Sequence, residues 1–125
     1  MPRETRYAVF ELGMNHPGEI APLSRLVRPH ACVITTVEAA HLEFFNSVAE
    51  IADEKASIME GLEPEGVAVL PADNPHYVRL TSVAKKLGVR TMAFGTGGDA
   101  TARLFAWSLT PDGTQVAAEF DGARI

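Results

Sequence analysis

Thr35-Thr36-Val37-Glu38-Ala39-Ala40-His41-Leu42-Glu43-Phe44-Phe45, followed by a helix-patterned run from Asn46 to Leu62, decides how the rest of the chain is read. The segment enters from Ala31 to Val37 (ACVITTV), a continuous, largely β-branched run that reads as a buried strand. It leaves through an apolar stripe at Val48, Ala52, Met59 and Leu62, with Ile51 and Ile58 beside it, which predicts a helix over 46–62.

Lys55 sits on that stripe. At roughly 100° per residue it lies only about 20° around the helix from Val48, so its ammonium points toward a core or a cleft. Two outcomes are open to such a lysine. Its four-carbon stem can pack while the charge snorkels to water, or burial can lower its pKa and free the neutral amine for chemistry. Glu38 and His41, just ahead of the helix, bear on the second.

Outward from this segment, strand-like and helix-like runs alternate. Tyr7 to Leu12 (YAVFEL), closed by Gly13, reads as a buried strand with Glu11 at its C-terminal end. Gly18 to Val27 reads as a helix stopped near Arg28-Pro29. Val67 to Leu70 is a third strand, followed by the turn Pro71-Ala72-Asp73-Asn74-Pro75; His76 to Leu87 is helix-compatible up to Gly88, and Val89 to Phe94 is a fourth strand. Such alternation predicts an α/β fold, a mostly parallel sheet flanked by helices. Beyond Gly95-Thr96-Gly97-Gly98-Asp99 the pattern changes, and Thr101 to Leu109 and Gln115 to Phe120 are joined by Pro111-Asp112-Gly113-Thr114, an antiparallel β-hairpin signal.

Composition narrows the function classes. The 125 residues fit one domain able to bury a core. Eleven basic and sixteen acidic residues give a formal charge of −5 with no Lys/Arg cluster, which disfavours nucleic acid and anionic membrane as partners. The single cysteine, Cys32, allows no internal disulfide and suits a reducing, cytoplasmic setting. Neither a signal peptide nor a membrane span is legible.

In open parallel sheets ligands gather beyond the C-terminal strand ends. Glu11, the Thr35 to His41 segment, and Asp73 with Asn74 all occupy such ends, so a carboxylate, an imidazole and the Lys55 amine can share one edge. That set suits a hard cation with phosphate, because Mg²⁺ takes few protein ligands. Singly, Glu11 reads equally as a solvent-facing strand-end acid, and His41 as a packed or capping residue. The phosphate-loop pattern G-x-x-x-x-G-K-[ST] is absent. Gly95 to Gly98 is followed by neither a lysine nor a helix, so it reads as entry to the hairpin.

Phe10-Glu11-Leu12-Gly13-Met14-Asn15-His16-Pro17-Gly18-Glu19-Ile20, Ala40-His41-Leu42-Glu43, Lys55-Ala56-Ser57-Ile58, Gly61-Leu62 and Ala72-Asp73-Asn74 closely resemble the Mur ligases. The resemblance runs in order along nearly the whole chain and is weaker through the terminal hairpin. It implies that residues 1–125 are a partial central, ATP-binding domain, lacking the phosphate loop, the N-terminal UDP-substrate domain and the C-terminal domain. It implies ATP and Mg²⁺, with Glu11 and His41 as metal ligands and Lys55 carbamylated by CO₂ to give an anion that supports a metal; Asp73 and Asn74 fall on the cofactor side.

The activity implied is amide ligation through an acyl phosphate, adding D-alanyl-D-alanine to UDP-N-acetylmuramoyl-tripeptide in peptidoglycan synthesis. The isolated chain is expected to be inactive and to self-associate through an unpaired sheet edge. The alternatives are a non-enzymatic binding module and another Mur-type ligase, of murein peptide recycling or folylpolyglutamate synthesis.

Overall fold

The computed structural model describes residues 2–40 and 42–124. In chain order the elements are α1 (Ile20–Val27), β1 (Ala31–Val33), α2 (Val48–Ala56) continued by a 3₁₀ turn (Ser57–Gly61), β2 (Val67–Pro71), α3 (Tyr77–Leu87), β3 (Arg90–Gly95), β4 (Ala102–Thr110), β5 (Gly113–Phe120) and β6 (Ala123–Arg124). Among the described residues they form one sheet in the order β1-β2-β3-β4-β5-β6. The first three pairings are parallel and the last two antiparallel, in keeping with the expected α/β architecture and its terminal hairpin.

Local chemistry sets the boundaries. Ser47 caps α2 by accepting from the Glu50 amide at 3.2 Å, while the Glu50 carboxylate reaches back to the Asn46 amide at 3.0 Å. Such reciprocal caps contribute about 1 kcal/mol. α3 ends at Gly88, whose φ of 69° is the left-handed conformation that glycine adopts without a Cβ penalty. The α-helix expected to run to Leu62 changes pitch at Ser57, and the tighter turn brings Gly61 onto α1. A Cβ at Gly61 would stand 2.2 Å from the Ser24 carbonyl carbon, so only glycine fits. The buried Ser24 hydroxyl donates to the Ile58 carbonyl and seals the same contact.

The core lies between the sheet and α2–α3. Cys32, Ala68 and Leu70 project from β1 and β2 toward Ile51, Ala52, Ala56, Leu80 and Ala84, with Ile34, Val37, Phe45 and Met59 closing the cluster. Side chains alternate along a strand and registered neighbours share a face. Val33, Val69 and Met92 therefore form a row on the opposite face, and Val33 remains half exposed. Burial pushes the Cys32 thiol up to about 11.

Two expected strands come out differently. Tyr7 to Leu12 joins no sheet among the described residues, and Tyr7 and Val9 are 90% and 97% exposed. An apolar run becomes a buried strand only when a neighbour pairs its amides and carbonyls, and among the described residues β1 pairs with β2 alone. The ladder of β1 stops at Val33, with one more bond from the Ile34 amide to the Val69 carbonyl at 3.1 Å; Thr35 to Val37 continues as an unladdered segment over the strand ends.

β4 meets β3 over only two registered pairs, Phe94 with Ala102 and Gly95 with Arg103, before diverging into the hairpin. The register of the hairpin shifts between Leu104 and Ala106, leaving Phe105 as the extra residue of a bulge. The guanidiniums of Arg103 and Arg124 lie 4.8 and 5.8 Å from its ring centroid.

Candidate functional site

The candidate residues that the fold brings together are Lys55, Thr36 and Asn74. Half-buried Lys55 projects from the last turn of α2, and its Nζ donates to the Thr36 carbonyl at 2.7 Å. Lys55 forms no ion pair among the described residues. Asn74, in the turn after β2, donates through Nδ2 to the Val37 carbonyl at 3.1 Å and lies 3.4 Å from Thr36 Oγ1. Its Oδ1 accepts from the His76 amide at 2.9 Å, so both ends of the side chain are engaged. The Thr36 hydroxyl donates to Glu38 at 3.1 Å. Lys55 and Asn74 thus fix two successive carbonyls, those of Thr36 and Val37, and the unladdered segment is held by side chains in place of a strand ladder.

Asp73 braces the other side. Its Oδ2 accepts from the Thr96 amide at 2.7 Å and the Thr96 hydroxyl at 2.9 Å. These bonds favour the anion and hold its carboxyl below the usual range. Gly95 is required by the approach, since a Cβ there would come within 2.8 Å of Asp73 Oδ1. The loop from Gly95 to Gly98 leads into a strand, as expected of a hairpin entry. Beside it a cavity of about 490 Å³ is lined mainly by Phe94, Leu104, Phe120 and Asp73.

Glu11 stands apart. It is exposed and makes no side-chain hydrogen bond or ion pair among the described residues. His41 lies outside the described residues. Among the described residues no three His, Cys, Asp or Glu side chains gather as a closed metal cage. An exposed, unengaged carboxylate is nonetheless a suitable donor for Mg²⁺, which commonly takes one or two protein ligands and completes its shell with water and phosphate.

Residues that the sequence did not single out supply much of the bracing. Glu54 accepts from the Gly18 amide at 2.8 Å and the Ile20 amide at 2.9 Å, satisfying the start of α1, which has no side-chain cap of its own. Glu19 accepts from the Asn15 amide at 2.7 Å and the His16 amide at 3.1 Å, and these two bonds, Asn15 first, lower its pKa. Glu54 and Gly18 are far apart in sequence, so no local pattern announces the contact. Glu19 to Asn15 is local, and an acid shortly after a Pro-Gly turn is the signal that was available.

Comparison with known proteins places the chain in a family. The family described as the Mur ligase middle domain matches residues 1–125. The UDP-N-acetylmuramoyl-tripeptide--D-alanyl-D-alanine ligase of Rickettsia prowazekii is 38% identical over 108 residues, covering 86% of this chain and 24% of that protein. A crystal structure of MurF from Acinetobacter baumannii superimposes with a TM-score of 0.89 at 30% identity, over 100% of this chain and 27% of that one. MurF from Thermotoga maritima, solved with ADP, gives 0.75 at 28% identity over 89% of this chain and 25% of that one. The chain thus spans about a quarter of the length of each. With its whole length matched, the chain belongs to the Mur ligase middle domain family.

Proposed function

We propose that this chain is part of the central, ATP-binding domain of a cytoplasmic ligase that joins D-alanyl-D-alanine to UDP-N-acetylmuramoyl-tripeptide in peptidoglycan synthesis. The phosphate loop, the UDP-substrate domain and a C-terminal domain would come from chain outside these residues. The observation that carries this is the likeness over the whole chain to MurF of Acinetobacter baumannii, joined with the identity to the Rickettsia ligase. The ADP in the Thermotoga maritima relative supports ATP as co-substrate. Among the described residues no helix is long and apolar enough to cross a membrane.

In this reading the carboxylate of the tripeptide attacks the γ-phosphorus of ATP, forming an acyl phosphate and releasing ADP. The dipeptide amine then attacks the acyl carbon, the amide bond forms, and phosphate departs. A bound Mg²⁺ would supply charge neutralisation at the transferring phosphoryl group. Glu11 and His41 would hold it.

Lys55 would act as its carbamate: the neutral amine adds to CO₂, a nitrogen–carbon bond forms and a proton leaves. The carbamate nitrogen keeps an N–H for the Thr36 carbonyl, so the brace survives the modification. Its half-burial on α2 and its place beside the Thr36 carbonyl support this role. Asp73 and Asn74 would serve the nucleotide side by holding the turns after β3 and β1.

The experiment is precursor-dependent phosphate release by a full-length ligase carrying this segment. Lys55→Ala should abolish it, and short carboxylic acids should partly restore it by standing in for the carbamate. Near-normal turnover in that variant would remove Lys55 from the mechanism. The 125-residue chain alone should release no phosphate above background, and measurable release would overturn the partial-domain reading.

A further inference from the structure

The loop from Met14 to Gly18 continues the segment of Glu11 and touches the segments that carry the other two proposed metal-site residues. Met14, three residues after Glu11, packs against the hydrophobic core. The His16 ring lies against that of Phe44, three residues after His41, with centroids 4.2 Å apart and planes tilted by 47°. At its far end the Gly18 amide donates to Glu54, which directly precedes Lys55. Glu19 ties the loop internally through the Asn15 and His16 amides, so it behaves as one unit. Gly18 takes φ of 88°, a conformation that suits glycine, as the chain turns its amide toward Glu54.

Glu54 is therefore the single side chain joining this loop to the helix of Lys55 by hydrogen bonds among the described residues. Both its oxygens are used, one on each amide, which fixes a carboxylate in translation and rotation at once. Its neighbour Lys55 points to Thr36 from the same helical turn. Two adjacent side chains of α2 thus hold the two segments that enter the proposed site.

We propose that Glu54 is a positioning residue: by clamping the Gly18 and Ile20 amides it sets the Glu11 arm and the His16–Phe44 contact against Lys55, and so presents Glu11 to a divalent cation. The proposal rests on the metal role given to Glu11 above. Glu54 itself touches neither cation nor substrate.

The test uses the 125-residue chain with Mn²⁺ as the probe, read by the electron spin resonance of free Mn²⁺ and by backbone and ring NMR signals. Glu54→Ala should weaken Mn²⁺ binding about tenfold, the low end of what losing a group that orients a ligand costs, and should shift the Glu11, His16 and Phe44 signals. Glu54→Gln, which keeps one acceptor oxygen, should fall between. Unchanged Mn²⁺ affinity in a Glu54→Ala chain whose Gly18 and Ile20 amides have lost protection would overturn the proposal. Should Glu54→Ala not fold, the same comparison is decided by Glu54→Gln. If Mn²⁺ binds the parent chain but ignores Glu11→Gln, the metal role of Glu11 fails. In that case, or without any Mn²⁺ binding, the clamp is judged by the signals alone: movement at Glu11 and Phe44 on Glu54→Ala upholds it, and their constancy sinks it.

Discussion

Thr35 to Val37 and Tyr7 to Leu12 both read as strand-like runs, yet the structure treats them oppositely. The first leaves its ladder after Val33 and is then held by Lys55 on one carbonyl and Asn74 on the next. The second is largely exposed and joins no sheet, with no backbone hydrogen bond to another segment among the described residues. Strand-forming composition is common to the two, so composition is not what orders them. Order follows from partners for the backbone groups, supplied by side chains in one case and missing in the other.

The contrast predicts unequal sensitivity to substitution. The largest effect is expected where the braced half is tightest: Gly61→Ala must push α1 off the 3₁₀ turn and should cost about 3 kcal/mol or more, read as a lowered urea midpoint. Asn74→Ala should cost about 1–3 kcal/mol, because it strands the Val37 carbonyl and the His76 amide together. Val9→Lys should change stability by less than about 0.5 kcal/mol, while shifting any self-association seen by light scattering toward monomer, since charge on a free strand blocks edge pairing. A Val9→Lys loss as large as that of Asn74→Ala would erase the distinction between the two regions.

The smallest effect is pH-dependent. The Asp73 carboxyl is held low by the Thr96 amide and hydroxyl in the folded chain. A depressed folded pKa means stabilisation that is fully present above the unfolded value, about 3.9, and lost as pH falls through the folded one. Asp73→Asn should therefore lower the urea midpoint modestly at pH 7, and the gap from the parent chain should close below about pH 4. A gap that widened on acidification would mean that the bond to Thr96 does not favour the anion.

The fold was legible where periodicity and punctuation act locally. The α2 stripe, Gly88 as a helix stop and the hairpin about Pro111-Asp112 are all local signals, and they set the α/β alternation. The half-burial of Lys55 followed from its angle on the helix alone. What escaped depended on distance. Tyr7 to Leu12 carries every internal mark of a strand, but pairing is a property of a neighbour. The tightening at Ser57 goes with the close approach of α1 to Gly61, a contact between segments far apart in sequence, and Glu54 reads as one more surface acid until the chain has folded. Of the candidate site, Asn74 was foreseeable as a strand-end residue and Lys55 from its helix face, whereas their bracing of Thr36 and Val37 was not.

Cys32 is the only cysteine, it lies in the core, and its thiol is raised to about 11. At neutral pH the reactive thiolate is then a fraction of about one in ten thousand, behind a wall of packed side chains. The chain is in effect already silent to thiol reagents. A cysteine placed at Val9 would carry a spin label or fluorophore alone, without first replacing Cys32, and would report directly whether the exposed arm finds a partner when the concentration is raised.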